Sequence, residues 1–149
     1  EQSVAKPWIK DYDTFNPPST LPSRFPLDNW AIFLATDSSS PVGGCIIAHN
    51  TPNVHLLQGR TDLAVLWDIR IAPGHRGQGL GRRLFNSAEA WAQSRHCLEM
   101  QVETQNINVA ACRFYQRMGC TLLRFTRDAY DEGPDEHQLI WSKPLPRNN

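Results

Sequence analysis

The sequence predicts a mixed α/β fold, in which helices cover a sheet that contains both parallel and antiparallel strands. In the centre of the chain, roughly residues 63–127, apolar runs alternate with segments whose apolar residues recur every three or four positions, as helices require. On either side of this centre, strand-like runs follow one another across polar connections, which is typical of hairpins. At 149 residues the chain fits one domain, 1–149, around one core.

The first 61 residues predict an irregular arm followed by a hairpin. Residues 1–29 carry five prolines and little periodicity, so we expect at most one short helix or strand there, near 8–12. Trp8 and Phe15 either pin this arm to the core or line a substrate mouth. Strands at 30–36 and 42–49 follow, joined by a turn at 37–41, with Gly43 and Gly44 as a candidate bulge and 50–61 as a loop.

The segment Leu63–Ile71 is nearly continuously apolar, as expected for a central strand that is covered on both faces. Asp68 and Arg70 interrupt it, and two charges on a core strand need partners or a cleft. They are either an ion pair near the exposed end of the strand or part of a site. Simple alternation places these two charges on one face and the following residues on the other: Leu63, Val65, Trp67, Ile69 and Ile71.

Two helices and three strands are predicted for the rest of the chain. Apolar residues at Leu80, Leu84, Ala88 and Trp91 predict a helix over 79–95. Apolar and polar residues alternate along a strand at 97–104, and Asn108 is a candidate cap for a helix over 109–118 that Gly119 ends. The last two strands are expected at 121–127 and 136–141, joined by residues 128–135.

A glycine-rich bend joins the central strand to the first long helix. Gly77, Gly79 and Gly81 alternate, so the backbone can bend sharply and no Cβ shields the amide N–H groups from a ligand. The positive end of the following helix faces the same point, which favours a phosphate or a pyrophosphate. The alternative is a glycine-rich turn that binds nothing.

Two motifs resemble signatures of the GNAT superfamily of N-acetyltransferases. Arg76, Gly79 and Gly81 match its pattern Arg/Gln-x-x-Gly-x-Gly/Ala, and residues 108–120 match Asn-x-x-Ala-x-x-Phe-Tyr-x-x-x-Gly-Phe, except that Cys120 replaces the last aromatic residue. The resemblance covers roughly 63–127. It implies the superfamily's fold, a mixed, mostly antiparallel, twisted sheet of six or seven strands that is flanked by helices and splayed at its central parallel strands.

A more specific resemblance points to one branch of that superfamily. Residues 103–108 and 111–115, with Trp67, Asp68 and Ile69 upstream, look like the bacterial streptothricin acetyltransferases, which acetylate an amine in the β-lysine part of that antibiotic. An acidic segment and the ending Ile140-Trp141 add to the similarity. The first 60 residues carry no matching motif.

The resemblance implies acetyl-coenzyme A as the cofactor. The loop would hold its pyrophosphate, a backbone N–H near the end of the central strand would hold its thioester carbonyl, and Asn108 would bind its pantetheine arm, unless Asn108 is a plain helix cap. Arg82 and Arg83 oppose the helix dipole, which suits a polyphosphate or simple solvation. The expected cofactor-binding residues are Ile69, Arg70, Ile71, Arg76, Gly77, Gln78, Gly79, Leu80, Gly81, Arg82, Asn108 and Tyr115.

Three residues are candidates for the chemistry. A lysine-like amine has a pKa of about 10.4, so removing its proton at neutral pH costs roughly 4 to 5 kcal/mol and requires a base. Glu103 is the first candidate, by resemblance to ribosomal-protein N-terminal acetyltransferases, and is otherwise an exposed edge carboxylate. Asp68 is the second candidate, or binds the substrate ammonium. Tyr115 has the place of the superfamily's general acid, and is otherwise a core residue with a solvated tip.

The segment 128–136 is acidic at five of its nine positions. In the superfamily, the loop between the last two strands borders the acceptor site, so an acidic rim would attract a cationic amine. An acidic surface loop without a role is equally common. The expected substrate-binding residues are Asp68, Tyr130, Asp131 and Glu132.

Composition narrows the classes of partner. Fifteen basic and fifteen acidic residues cancel, which argues against a nucleic-acid-coating protein or a polybasic membrane binder. No apolar run approaches the roughly 20 residues of a membrane span.

The four cysteines form no CxxC pair, so we expect reduced, structural thiols and no metal site. Residues 1–10 lack a secretory pattern, so cytoplasm is the default, although Glu1 leaves a trimmed leader open. A homodimer also stays open.

Together these features predict an acetyl-coenzyme A-dependent N-acetyltransferase that modifies a primary amine of a small cationic acceptor. A streptothricin-like or aminoglycoside-like antibiotic is the leading acceptor, which would make the protein a resistance enzyme. The first alternative is a protein N-terminal or lysine acetyltransferase. The second is a non-catalytic acyl-coenzyme A-binding module.

Overall fold

The computed structural model describes residues 17–130 and 135–146 of the chain. Six strands form one sheet: β1 (Trp30–Asp37), β2 (Ser40–His49), β3 (Leu63–Ile71), β4 (Glu99–Gln105), β5 (Thr121–Thr126) and β6 (Gln138–Pro144). The helices are α1 (Leu21–Arg24), α2 (Leu80–Ser94) and α3 (Val109–Arg117). Short 3-10 turns lie at Pro18–Thr20, His55–Leu57 and Pro73–His75. None of the helices in these ranges is long and apolar enough to cross a membrane.

The sheet has the order β1-β2-β3-β4-β6-β5. Only β3 and β4 pair in parallel, and the other neighbouring strands pair antiparallel. The parallel pairing ends at Leu66 and Val102, although β3 continues to Ile71 and β4 to Gln105. The two central strands therefore separate, and the predicted mixed, mostly antiparallel and splayed sheet is confirmed.

A β-bulge in β3 lies where this separation begins. Asp68 pairs with Ile46 and Leu66 pairs with Ile47, so Trp67 is an extra residue without a partner on β2. A bulge bends its strand and increases the local twist. The end of β3 is thereby directed away from β4.

The same bulge corrects the faces that simple alternation predicted for β3. Leu63, Val65 and Trp67 pack in a small apolar cluster, but Ile69 and Ile71 pack against the main core on the other face. Because the period of a strand is two, one extra residue reverses the faces of all residues that follow it. The prediction that these five residues share a face is therefore wrong.

The β1–β2 hairpin also differs in detail from the prediction. Its turn is shorter, with Ser38 and Ser39 both at positive φ, the conformation of a two-residue type I′ turn. The irregularity lies at Val42, because Ala35 pairs with Gly43 and Thr36 with Pro41. The predicted bulge at Gly43 is therefore displaced by one residue. Gly43 instead allows close approach, since a Cβ there would lie 2.9 Å from the Arg70 carbonyl oxygen.

Helix α2 supplies much of the main core. It buries Leu84, Phe85, Ala88 and Ala92 against the sheet, so the predicted apolar stripe is confirmed at Leu84 and Ala88. Phe85 contacts the rings of Phe114 and Tyr115 from α3. Cys120 is also buried in this core, so the smaller side chain fills the place of the expected aromatic residue.

The remaining boundaries agree with the predictions to within three residues. Strand β4 begins two residues later than predicted, and β6 runs to Pro144 rather than ending at Trp141. The predicted structure near 8–12 and the roles of Trp8 and Phe15 lie outside the described residues. The cysteines are all free, as predicted, and burial raises the pKa of three of them to about 11: Cys45, Cys97 and Cys120.

We predict that Phe85→Ala destabilises the protein far more than Phe125→Ala. Phe85 is fully buried, whereas Phe125 on β5 is 47% exposed. Removing the buried ring leaves a cavity and should lower the free energy of unfolding by roughly 3 to 5 kcal/mol. Removing the exposed ring should lower the free energy of unfolding by no more than about 1 kcal/mol. Urea denaturation followed by circular dichroism measures both, and similar losses would contradict the described core.

Candidate active site

A cleft of about 540 Å³ opens where β3 and β4 separate. The ends of these strands form two of its walls, α1 and the 3-10 turn at His55–Leu57 contribute a third, and the start of α3 a fourth. The lining residues from β3, β4 and α3 that were predicted as site residues are Asp68, Ile69, Arg70, Glu103, Asn108 and Tyr115. The cleft thus brings together all three candidate catalytic residues.

The edge of β3 that faces the cleft carries main-chain donors. The Ala72 N–H donates to the Val42 carbonyl on β2. From Asp68 to Ile71, β3 pairs with β2 without irregularity. Because N–H directions alternate along an antiparallel strand, the N–H of Arg70 faces β2 and those of Ile69 and Ile71 face the side that β4 has left. Donors at this edge are able to stabilise a negative charge in the cleft.

The glycine-rich bend that follows β3 presents a run of unpaired donors. Gly77 and Gly79 adopt φ values of +77° and +80°, and Gly79 caps the start of α2 without a side-chain hydrogen bond. Within the described parts of the chain, the N–H groups of residues 77–82 find no acceptor. A Cβ at Gly77 or Gly79 would meet no atom within 4 Å, so open space lies beside the backbone. Such a run at a helix N-terminus suits an anion.

The cations around this bend are placed differently. Arg82 and Arg83 are exposed in the first turn of α2, as predicted. Arg76 is also exposed, but its Nε donates to the Ile71 carbonyl at 3.1 Å. It therefore ties the bend to the end of β3. Gln78 similarly donates to the Gly74 carbonyl at 3.5 Å.

Asp68 and Arg70 form an ion pair and also line the cleft. The Arg70 Nε lies 2.8 Å from the Asp68 Oδ2, and the two side chains are 46% and 24% exposed, respectively. The predicted ion pair is therefore confirmed, and because both residues also line the cleft, a role in a site stays a prediction. The pairing offsets part of the negative charge that Asp68 presents.

The polar face predicted for β4 is divided into two parts. Glu99 accepts hydrogen bonds from Arg60, Gln101 and Ser142, each at 2.7 Å. Burial opposes its ionisation, but these donors outweigh burial and lower the pKa of Glu99. Gln101 is buried at 2% exposure, so this half of the face is structural.

The other half of that face reaches the cleft. Glu103 is exposed, and its Oε1 accepts a hydrogen bond from the Tyr130 hydroxyl at 2.5 Å. The Gln105 Nε2 donates to the same hydroxyl oxygen at 3.3 Å. In the described part of the chain, the second carboxylate oxygen of Glu103 has no donor. One oxygen of this carboxylate is therefore held, and the other is available to accept a proton.

Tyr115 reaches the cleft from the core side. Only 5% of it is exposed, and its ring packs against Phe85 and Phe114. Burial, helped by the negative charge of Asp68, raises the pKa of the Tyr115 phenol above its ordinary range. The phenol is therefore a proton donor at any pH near neutrality.

Asn108 caps α3 and also lines the cleft, so the predicted cap is confirmed and coenzyme binding stays a prediction. Its Oδ1 accepts from the Ala111 N–H at 3.1 Å, which caps α3, and the residue also lines the cleft. Its amide NH₂ has no acceptor among the described residues, so a donor is left over.

The sequence did not predict some residues that line the cleft, and some predicted site residues lie outside the described residues. Asp131 and Glu132, predicted to bind substrate, fall outside the described residues. An aromatic wall of Phe25 and Trp67, with ring centroids 5.5 Å apart, lines the cleft and was not predicted. Gln105 was also missed, although its position two residues after Glu103 on the same strand face was the available signal.

Comparisons with known proteins agree with this geometry. The model of the acetyltransferase (GNAT) family matches residues 5–120. The streptothricin acetyltransferase of Streptomyces lavendulae is 37% identical over 53% of the chain, and that of Escherichia coli is 35% identical over 70%. The chain spans only 43% and 62%, respectively, of the length of these relatives. N-alpha-acetyltransferase 30 of Saccharomyces cerevisiae is 29% identical over 94% of the chain and 81% of its own length.

Solved structures share the fold. A nourseothricin acetyltransferase superposes with a TM-score of 0.69 and 29% identity, covering 80% of this chain and 67% of that one. A Bacillus anthracis str. Ames protein assigned as a streptothricin acetyltransferase, solved in complex with acetyl coenzyme A, gives a TM-score of 0.68 and 28% identity. That alignment covers 78% of this chain and 62% of the other.

Proposed function

Because the chain belongs to the acetyltransferase (GNAT) family, we propose that it transfers an acetyl group from acetyl-coenzyme A to a primary amine of a small cationic acceptor. An antibiotic of the streptothricin class is the leading acceptor, supported by the similarity to streptothricin acetyltransferases. One observation carries the proposal. Unpaired main-chain donors and two carboxylates meet at a single cleft, opened by the separation of β3 and β4.

The residues present fit the coenzyme. The unpaired N–H groups of 77–82 form a cradle of the kind that a diphosphate occupies, and Arg82 and Arg83 add positive charge beside it. The spare amide of Asn108 is suited to the amide-bearing arm. When bound, acetyl-coenzyme A supplies an acetyl group activated as a thioester. Arg76 serves this site by holding the bend against Ile71.

Main-chain donors of β3 supply the oxyanion stabilisation in this proposal. Acyl transfer places negative charge on the carbonyl oxygen in the transition state, and preorganised N–H groups stabilise that charge. Ile69 and Ile71 direct their N–H groups to the unpaired edge of β3. Because the strand fixes these donors, they need not reorient when the charge develops.

Glu103 is the general base in this proposal, and Asp68 lines the same cleft. Glu103 keeps one carboxylate oxygen without a donor, so it is able to accept the proton of the ammonium, directly or through water. Asp68 is engaged with Arg70, so the proposal assigns the role of base to Glu103. The negative charge of Asp68 still favours a cationic acceptor in the cleft, and Asp131 and Glu132 would extend this acidic rim.

Tyr115 is the acid of this proposal. Its phenol remains protonated because burial raises its pKa, and the residue lines the cleft. A thiolate whose parent pKa is near 8.5, by analogy with cysteine, needs only modest help to leave. Tyr115 is therefore expected to assist departure of the thiolate rather than to make it possible.

A second candidate function is acetylation of protein N-termini. The yeast N-alpha-acetyltransferase 30 matches 94% of the chain, against 53% to 78% for three streptothricin acetyltransferases. The longer match includes the region that contributes α1 and the 3-10 turn to the cleft. These elements border the acceptor, so the candidate must be tested directly.

The first test presents the purified chain with acetyl-coenzyme A and a panel of acceptors: a streptothricin, an aminoglycoside, and short peptides with a free N-terminus or a lysine. Release of free thiol is measured against a reaction without acceptor. We expect the antibiotic amines to have kcat/KM values at least about tenfold above those of the peptides, a preference of about 1.4 kcal/mol. Preference for peptide N-termini would favour the second candidate, and coenzyme binding without any turnover would refute both.

The cradle is tested by Gly79→Ala with Gly74→Ala as its matched control. Gly79 lies at a φ of +80°, where a side chain is strained, whereas Gly74 is not at positive φ and also has open space beside it. Gly79→Ala should raise the Kd for coenzyme A about tenfold, or 1.4 kcal/mol, and Gly74→Ala should leave the Kd unchanged. Isothermal titration calorimetry measures both. Equal affinities would remove the argument for the cradle.

Replacing Tyr115 by Phe tests the acid. Phenylalanine keeps the ring contacts with Phe85 and Phe114, so thermal stability and the Kd for coenzyme A should not change. We expect kcat to fall by roughly 10²-fold, the lower end for a general acid. The loss should be constant from pH 6 to about pH 9, because the raised pKa keeps the wild-type phenol protonated throughout this range. An unchanged kcat would make Tyr115 a core residue only.

A further inference from the structure

The hydroxyl of Tyr130 lies in a directed chain of hydrogen bonds that ends on Glu103. The Gln105 Nε2 donates to the Tyr130 oxygen at 3.3 Å, and the Tyr130 hydroxyl donates to the Glu103 Oε1 at 2.5 Å. Since the amide of Gln105 supplies only a donor here, the single hydroxyl proton of Tyr130 is directed to the carboxylate. Consecutive hydrogen bonds of this kind polarise and strengthen each other.

The connection that carries Tyr130 is fastened to the end of β4. On one arm, the Asp128 N–H donates to His137 Nδ1 at 3.2 Å. On the other arm, the His137 N–H donates to the side chain of Asn106 at 2.7 Å, and the Asn106 side chain donates to the Asp135 carbonyl at 3.1 Å. Asn106 directly follows β4. The place of Tyr130 relative to Glu103 is therefore set by contacts on both sides of it.

Glu103 needs such a partner more than the other carboxylate on its strand face. Glu99 is held by three donors, but Glu103 is exposed and lies beyond Val102, where pairing with β3 ends. A free glutamate side chain has several rotamers, and holding it in one of them costs conformational entropy that a hydrogen-bond partner offsets. Burial and the hydrogen bond to Glu103 raise the pKa of Tyr130, so its hydroxyl remains a donor at neutral pH.

We propose that Tyr130 is a positioning residue that acts through Glu103, and not a contact to the acceptor. By holding one carboxylate oxygen, Tyr130 fixes Glu103 at the unpaired edge of the sheet and leaves the other oxygen directed to the incoming amine. The proposal rests on the proposed function, because it assumes that Glu103 is the base. It also assigns a role to the first part of the β5–β6 connection that does not depend on the charges of that connection.

A double-mutant cycle separates the two roles. Tyr130→Phe removes only the hydroxyl, Glu103→Gln removes the base, and the third variant combines them. We expect Tyr130→Phe alone to lower kcat about tenfold and to change the acceptor KM less than about twofold. In the Glu103→Gln background the same change should alter kcat by less than about twofold, because residues that act as a unit are not additive. Effects that multiply, or a loss confined to KM, would overturn the proposal.

A hydroxyl deletion elsewhere serves as the matched control. Ser94→Ala removes an exposed hydroxyl that bonds the Trp91 carbonyl at the end of α2 opposite the glycine-rich bend. It should leave kcat and KM unchanged in both backgrounds. Thermal melts of all variants establish that the kinetic differences are not losses of fold.

A second readout is independent of turnover. The chain has three tyrosines, and their ionisation is followed by ultraviolet absorbance during alkaline titration. Glu103→Gln should move one tyrosine's midpoint downward, because the carboxylate helps to raise the pKa of Tyr130, and this shift should be absent in the Tyr130→Phe background. A titration unchanged by Glu103→Gln would overturn the contact. A wild-type chain that acetylates no amine would instead refute the proposed function, whatever the titration shows.

Discussion

The separation of β3 from β4 is the constraint on which the site depends. Four residue pairs join the two strands in parallel, and beyond them each strand continues without the other. Backbone N–H groups inside a protein are almost always paired, so an edge that has lost its neighbour must bond to water or to a ligand. The bulge at Trp67 directs β3 away at this point. A break in the sheet thereby becomes a binding surface without any special side chain.

The division of β4 between scaffold and site follows from the same break. Glu99 and Gln101 lie where β4 still pairs with β3, and Glu99 accepts hydrogen bonds from Arg60 and Gln101. Glu103 and Gln105 lie on the same strand face beyond the last pair, where the neighbouring strand no longer covers them. Glutamate and glutamine side chains therefore stabilise the sheet at one end of this face and line the cleft at the other. The difference is made by the position of the last parallel pair, Leu66 with Val102.

The coenzyme-binding and acceptor-binding parts of the proposed site have different physical characters, and the glycine-rich bend lies outside the lining of the cleft itself. At the coenzyme end, recognition would use main-chain donors and a helix terminus, which many sequences are able to supply as long as glycines allow the bend. At the acceptor end, it would use side chains from α1 and from the turn at His55–Leu57, which line the cleft. Such segments vary in length and composition without disturbing the sheet. In the proposed function, acceptor choice would therefore be separable from coenzyme binding.

The sequence alone determined what depends on neighbouring residues. The alternation of strands and helices, the glycine bend before α2, and the cap at Asn108 were all predicted, because hydrophobic period and backbone freedom are local properties. The two motifs similarly indicated the family and made Tyr115 a candidate. Glu103 became a candidate through its place relative to Tyr115, and Asp68 as a charged residue on an apolar strand. Tertiary structure decided the rest. An extra residue at Trp67 reversed the faces of β3, and the contact between Tyr130 and Glu103 joins residues 27 positions apart. Register and long-range contacts arise from packing between strands, which no local pattern records.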